Sequence, residues 1–269
     1  MAVVGSAWSI ENQDGRNLVA NTLDVRPVAR IGRFDLIKAD SLHLKRVCYR
    51  LRYQTYCVEN AFEDPTAFID NFEADDYDER SLHGFIVFWP TGMPIGTVRL
   101  ILPSKNGEPD VPFALFCGQP GIADERDFPF SQMAEISRFS ISQQYLRSAS
   151  QEIDGARPRS DAQGLPQAIV SRDSAIVALI RLFVGFAAES GVQYFCALMQ
   201  KSLLRRVRGV GIYFDPVGPE IEFHGLRQPS LIKISTMLAR VKRERPDVWR
   251  AITNDGALAA AFAPGRRAL

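Results

Sequence analysis

Cysteine and histidine are scarce in this 269-residue chain, and each scarcity excludes chemistry. The four cysteines, Cys48, Cys57, Cys117 and Cys196, form no C-x-x-C pair and lie in apolar surroundings. They read as reduced, packed thiols of a reducing compartment. The three histidines, His43, His83 and His224, do not stand at ligand spacing from a cysteine, so no metal site is expected. Net charge is short as well: 32 basic against 31 acidic residues leave +1, which gives no global case for nucleic acid or another polyanion. Long apolar runs are missing too. The most apolar stretch, 176–188, is broken by Arg181 and is too short to span a bilayer. The N-terminus shows no basic region followed by an apolar run. The expectation is a cytoplasmic protein without a transmembrane segment.

What is present suffices for a sizeable core, since 46% of the residues are hydrophobic. Residues 1–30 mix Gly, Asn, Asp and Pro without periodicity and read as an arm, in which Trp8 and Ile10 are the anchoring candidates. Residues 31–230 carry the periodic segments of one domain, and 231–269 read as a C-terminal helical extension. A first strand is expected over 33–38. Asp40 or Ser41 then caps a helix that buries Leu44, Val47, Cys48 and Leu51. A second stripe on that helix, Tyr49, Tyr53 and Tyr56, surrounds Arg52, a guanidinium that needs a carboxylate or a tyrosine oxygen. The acidic run 59–79 reads mostly as a solvated loop. Its part 71–78 interleaves aromatics and is expected to fold back onto the domain.

Residues 82–89 and 95–102, joined by Pro90-Thr91-Gly92-Met93-Pro94, form a hairpin with Arg99 inside its apolar second strand. After a Pro- and Gly-rich excursion (103–129) comes the strand 133–142, which contains Glu135 and Arg138. Three positions apart, these two point to opposite faces of a regular strand. Either they engage different partners, or a β-bulge brings them to one side and frees backbone N–H groups able to hold a carbonyl oxygen. Residues 146–167 are poor in hydrophobics and read as a mobile loop. Ser171 opens a helix with Ile176, Ile180, Phe183 and Ala187 on its buried face, closed by Gly191. A strand over 192–199, a short basic helix over 203–208, strands at 212–214 and 221–224, and a helix after Pro229 complete the chain.

This order resembles the GNAT-type acyltransferase fold, an α/β architecture whose mixed central sheet has a splayed, bulged strand and flanking helices. The motifs narrow the resemblance. Tyr49-Arg50-Leu51-Arg52-Tyr53-Gln54-Thr55-Tyr56-Cys57, Phe72-Glu73-Ala74-Asp75-Asp76-Tyr77-Asp78, Gly96-Thr97-Val98-Arg99-Leu100 and Glu135-Ile136-Ser137-Arg138-Phe139 are similar, in order and spacing, to the signatures of acyl-homoserine-lactone (autoinducer) synthases. Cys57-Val58-Glu59, Ser81-Leu82-His83 and Gly218-Pro219-Glu220-Ile221-Glu222-Phe223-His224-Gly225-Leu226-Arg227-Gln228-Pro229 resemble acyltransferases associated with PEP-CTERM/exosortase systems, which are related to N-acyl amino acid synthases. The lactone synthases place a tryptophan after the first helix, where this chain has Phe62. That difference favours an amino acid over S-adenosylmethionine as acceptor.

The resemblance implies a charged set of Arg52, Asp75, Asp78, Arg99, Glu135 and Arg138, in which three carboxylates balance three arginines. A purely structural cluster would show the same balance. In the functional reading, Glu135 is the base that frees the acceptor amine. Asp75 and Asp78 hold the amine or order their loop, and Arg52 or Arg99 pairs with an acceptor carboxylate. Ser137, Phe139 and Ser140 line the acyl-thioester cleft, while His83 and His224 are structural residues at strand ends. No tightly bound cofactor is expected. The acyl group arrives on acyl carrier protein or coenzyme A. Residues 143–148 lack the glycine of a pyrophosphate-cradling turn, which favours the carrier protein. The basic helix with Lys201, Arg205, Arg206 and Arg208 suits an acidic carrier, although a solvated helix reads the same way. The rival readings are a lactone synthase using S-adenosylmethionine and a non-catalytic acyl-binding module.

Overall fold

Alternation of side chains along the strands decides the layers. Ile37, Phe85 and Val87 face one side of the sheet and meet Leu44, Val47, Cys48 and Leu51 of α1 (Leu42–Tyr53). Leu36, Ile86 and Phe88 face the other side and pack with α3 (Arg172–Ser190). Period-two alternation against two helical layers gives this division. The structure, a computed structural model, describes residues 25–155 and 172–263. Its sheet has nine strands: β1 (Ala29–Ile31), β2 (Phe34–Lys38), β3 (Ser81–Phe88), β4 (Met93–Ile101), β5 (Met133–Ile141), β6 (Tyr194–Met199), β7 (Asp215–Pro216), β8 (Ile221–Glu222) and β9 (Leu226–Lys233). The order is β1-β2-β3-β4-β5-β6-β9-β7, with β8 beside β9. The remaining helices are α2 (Gln143–Gly155), α4 (Lys201–Gly209), α5 (Ile234–Glu244) and α6 (Pro246–Thr253). The expected mixed α/β architecture is present. No helix among the described residues is long and apolar enough to cross a membrane.

Two irregularities at β5 open the sheet. First, β5 and β6 run parallel but pair only at Met133↔Tyr194, Ala134↔Phe195 and Glu135↔Cys196. Beyond Glu135 both strands continue without pairing, so they splay. Second, Thr97 pairs with Ser140 and Arg99 with Ser137, so that three steps along β5 oppose two along β4. The extra residue is a bulge, and Arg138 within it has φ +48°, in the left-handed region that a residue with a Cβ adopts at a cost. The bulge reverses the alternation of everything after it. Phe139 turns to the α3 layer, where its ring meets Phe183.

Several sequence-based expectations are corrected. Residues 212–214 form no strand, and β7 and β8 are minimal; the sheet partner of β6 is β9. Pro229 sits inside β9, and a proline in an alternating run argues against a strand, which hides this one in the sequence. The helix expected after Pro229 therefore starts at Ile234, and the boundary at 230/231 falls within β9. Helices α5 and α6 do not stand apart: Met237, Val241, Val248 and Ile252 join the same core as α3. That double covering explains why α3 is apolar around most of its circumference rather than along one stripe.

Residues 146–155, expected as loop, belong to α2, and residues 29 and 30, expected in the arm, belong to β1. Ser41, not Asp40, caps α1, accepting from the Leu44 N–H. The basic helix is longer than expected, spanning α4. The four cysteines are free thiols, with Cys48, Cys57 and Cys196 buried. Trp8, Ile10, Ser171 and the segment 156–167 lie outside the described residues.

Gly96 in β4 is where the bulged pairing is tightest: a Cβ there would stand 2.9 Å from the Ser140 carbonyl oxygen. Gly96→Ala is expected to destabilise the protein by about 1–3 kcal/mol, as overpacking does. Urea unfolding of the variant checks this, and an unchanged midpoint would mean that β4 and β5 separate freely.

Candidate active site

The acidic segment after α1 folds back because two buried arginines, Arg52 and Arg99, and the half-buried Arg138 require it. Arg52 on α1 is fully buried and holds both oxygens of Glu73, with Nη2 at 3.0 Å from Oε1, while its Nη1 reaches Asp78 Oδ1 at 2.7 Å. Arg99 on β4 donates through Nη1 to Asp75 Oδ1 (2.5 Å) and Asp78 Oδ1 (2.6 Å), and through Nε to Ser137 Oγ (2.8 Å). Arg138, brought round by the bulge, donates through Nη2 to Glu73 Oε1 at 2.9 Å and Asp75 Oδ2 at 3.2 Å. Asp75 also caps the turn Asp76–Arg80, accepting from the Tyr77 N–H. Three guanidinium groups are thus matched by Glu73, Asp75 and Asp78. Burial pushes the Glu73 carboxyl up, but Arg52 and Arg138 outweigh it and hold it at about 2. Asp78 is likewise held well below the usual carboxylate range, because Arg52 and Arg99 outweigh the burial. Burial works against the charge on Arg52, but Glu73 and Asp78 outweigh it and hold its pKa above the ordinary arginine value.

Glu135 stands outside this network. Its side chain is buried, and its Oε2 accepts the Phe113 N–H at 2.7 Å; no arginine pairs with it among the described residues. Burial raises its carboxyl to about 7, and the Phe113 N–H and the more distant Arg99 offset only part of that. A carboxyl poised near neutrality in a cleft is a candidate general base. It lies at the last paired position before β5 and β6 part.

The gap between those strands forms a cavity of about 560 Å³. Glu73, Asp75, Arg99, Glu135 and Arg138 line its polar end, and Ile136, Phe139, Ile176, Leu198, Met199 and Leu203 give it an apolar wall. Ser137, Phe139 and Ser140 all line it. The buried Ser140 Oγ has no hydrogen-bond partner there. Where β5 runs into α2, the Glu59 carboxylate closes the helix N-terminus: Oε1 accepts from Ser142 Oγ at 2.5 Å and Oε2 from the Gln143 N–H at 2.8 Å.

The structure therefore brings together Arg52, Asp75, Asp78, Arg99 and Arg138 as expected, and replaces Glu135 by Glu73 as the third carboxylate. Glu73 was concealed by the acidic run around it; the aromatic and small neighbours Phe72 and Ala74 were the available signal. Arg52 spends its donors on Glu73 and Asp78, and Arg99 spends Nη1 on Asp75 and Asp78 and Nε on Ser137, so both charges are already matched by carboxylates. On α4, Lys201 pairs with Glu220 at 2.5 Å and Arg208 lies over the Tyr213 ring, whereas Arg205 and Arg206 are exposed and Arg206 reaches the cavity rim. His83 is buried within β3, near the Asp78 carbonyl, and burial lowers it to about 4, which keeps the ring neutral. His224 is not at a strand end; it sits in the β8–β9 turn on the cavity wall, its Nδ1 3.2 Å from Glu63 Oε1.

Residues 51–153 match the family described as the acetyltransferase (GNAT) domain. No curated protein matches the chain by sequence. Among solved structures, TofI in a ternary complex with an inhibitor and MTA is similar at 18% identity, over 84% of this chain and 100% of that one, with a TM-score of 0.55. The acyl-homoserine-lactone synthase LasI is similar at 14% identity over 82% and 94% of the two chains, with a TM-score of 0.50. FeeM, an N-acyl amino acid synthase from uncultured soil microbes, shares 12% identity over 77% and 94%, with a TM-score of 0.49. The first two likenesses establish the fold as GNAT-like.

Arg99 bridges Asp75, Asp78 and Ser137 at 1% exposure, so its removal leaves three carboxylates facing two guanidinium groups. Arg99→Ala is expected to cost about 3–5 kcal/mol, the range for breaking a buried ion pair from one side. Chemical denaturation measures it, and a loss below about 1 kcal/mol, the scale of exposed pairs, would place the network in solvent.

Proposed function

We propose that this protein is an N-acyltransferase that moves a long-chain fatty acyl group from an acyl carrier protein thioester to the amine of an amino acid, giving an N-acyl amino acid. The observation that carries the reading is Glu135, an unpaired buried carboxyl held near neutrality beside the gap between β5 and β6. The amine nitrogen attacks the thioester carbonyl, Glu135 takes the proton directly or through one water, and the thiol leaves as the carbonyl reforms. No covalent acyl-enzyme is needed. Ser140 Oγ, buried without a partner on the cavity wall, suits the carbonyl oxygen as charge develops on it. The apolar wall takes the acyl chain, and Asp75, Asp78, Arg52, Arg99 and Arg138 hold the loop that closes the polar end.

Glu59 supports the carrier protein over coenzyme A. In acetyl-coenzyme A users of this fold, backbone N–H groups after the bulged strand cradle the pyrophosphate. Here a carboxylate already occupies the N–H groups of Gln143 and Gln144, so a pyrophosphate would meet a like charge. Phosphopantetheine on a carrier protein brings no pyrophosphate, and the exposed Arg205 and Arg206 of α4 suit an acidic carrier. A cytoplasmic setting follows from that donor, and the narrower likeness to PEP-CTERM/exosortase-associated acyltransferases is part of the same proposal. Acyl-homoserine-lactone synthesis from S-adenosylmethionine is the second reading, favoured by the fold likeness to TofI and LasI. Its first step is the same amine attack.

Thiol release from acyl carrier protein on adding amino acids, with mass spectrometry of the product, separates these readings; no release would leave only an acyl-binding role. Glu135→Gln is expected to fold and to lose roughly 10²–10⁴ in kcat, the usual range for removing a general base. Because the base works deprotonated, wild-type kcat/KM should rise with pH through about 7 and level off above it. The variant should lack that inflection. A Glu135→Gln enzyme with wild-type rate and profile would remove Glu135 from the chemistry.

The donor preference has its own test. Wild type should favour acyl carrier protein over acyl-coenzyme A, and Glu59→Gln should narrow the preference by about tenfold, mainly through KM for the coenzyme, as expected for one relieved charge contact. Charge reversal at Arg205 and Arg206 should raise KM for the carrier protein with little change in kcat. Better kcat/KM with acyl-coenzyme A in the wild type would overturn the donor assignment.

A further inference from the structure

Once the three arginines of the network are matched to Glu73, Asp75 and Asp78, one cavity-lining guanidinium is left over. Arg227 on β9 is 8% exposed and lines the same cavity, yet no carboxylate pairs with it among the described residues. Its Nη2 donates to the His224 carbonyl at 2.5 Å, and its Nη1 is buried without any partner. The Phe62 ring centroid lies 5.2 Å from its Cζ. Burial lowers its pKa, and Tyr56, Glu222 and Glu63 act on it only as more distant charges. A buried cation without a counter-ion is costly, and retaining one in a cleft points to an anion that arrives from outside.

The chemistry of that anion follows from the cavity. Arg227 lies among Tyr56, Phe62, Glu63 and His224, close enough for Arg138 to act on its charge, and so at the polar end with the network. The same cavity holds Glu135, the carboxyl left unmatched by the network. Arg227 without a paired carboxylate and Glu135 without a paired cation line one cavity, in which Glu63 is engaged by His224 Nδ1 at 3.2 Å and Arg138 at 3.8 Å, and the two are complementary to a zwitterion. A planar guanidinium with unused donors matches a carboxylate in bidentate fashion. We propose that Arg227 binds the α-carboxylate of the acceptor, so that the site selects α-amino acids, S-adenosylmethionine included, against simple amines. This rests on the acyltransfer reading above and assigns to Arg227 the part that the sequence assigned to Arg52 or Arg99.

The test pairs each acceptor with its decarboxylated form: leucine with 3-methylbutylamine, phenylalanine with 2-phenylethylamine, tyrosine with tyramine, and S-adenosylmethionine with its decarboxylated derivative. Palmitoyl acyl carrier protein is the donor. Wild type should acylate the carboxylate-bearing member of at least one pair at least about tenfold better, on the scale of a charge-assisted hydrogen bond. Arg227→Gln and Arg227→Met should remove that discrimination by raising KM for the acid, with KM for the carrier protein within about twofold, and Arg227→Lys should restore part of it, as a point charge does. Their melting temperatures should match or exceed the wild type, since an unpaired buried charge is being removed.

Equal rates with acids and amines in the wild type would overturn the assignment while leaving acyl transfer intact. So would Arg227 variants that raise KM for the carrier protein instead, which would make Arg227 a contact of the phosphopantetheine phosphate. Thermal shifts with the acceptors alone separate the two readings. A shift that an acid gives and its amine does not, lost in Arg227→Gln, would support the carboxylate site even if no product forms. Neither product nor shift with any acceptor would overturn both.

Discussion

The structure depends on matching two buried arginine charges to carboxylates. Arg52 and Arg99 are buried side chains projecting from a helix and from a central strand, and each would be prohibitively costly alone. Glu73, Asp75 and Asp78 come to them from a single stretch of chain, so the loop after α1 must fold back over the sheet. That loop then closes one end of the cavity. Its position is therefore fixed by ion pairs rather than by an apolar core. The network is rigid and neutral, and its members are committed to one another.

That commitment defines the site by subtraction. A carboxyl that does titrate near neutrality must be one the network leaves out, and Glu135 is such a group: its only polar contact among the described residues is a backbone N–H. A guanidinium free to take an incoming anion must likewise be one the network leaves out, and Arg227 fits that description. The same reasoning applies at the start of α2, where Glu59 has taken the helix N-terminus that would otherwise attract a phosphate. What each group is free to do follows from what its neighbours have already satisfied.

Backbone geometry makes the room. The loss of pairing between β5 and β6 after Glu135, and the bulge at Arg138, occur within four residues of each other. Without the bulge, Arg138 would point into the apolar α3 layer with Ile136 and Phe139 would point at the acidic loop. With it, the guanidinium reaches Glu73 and Asp75 while the aromatic ring packs against Phe183. One inserted residue thus serves both the polar end and the apolar wall of the cavity.

By itself the sequence determined β2, α1, the β3–β4 hairpin, β5, α3 and β6, though not β1 or α2, together with the face of α1 that is buried and the presence of anomalous charges at Arg52, Arg99, Glu135 and Arg138. Those follow from periodicity and from the cost of charge inside apolar runs, both of which are local. It left two possibilities for Glu135 and Arg138, separate partners on the two faces or a bulge between them, and the structure has the bulge. It could not assign partners. Asp75 and Glu73 look alike in an acidic run, and the segment 71–78 does not say which of its carboxylates meets an arginine, while Glu135 reads as one of the ion pairs. Strand β9 was hidden by Pro229, and Glu59 and Arg227 lay in quoted motifs without a role. Pairing is a matter of which side chains meet across 21 to 65 positions of chain. Only the tertiary structure decides that, because the energy of a buried charge depends on its partner's distance and not on its neighbours in sequence.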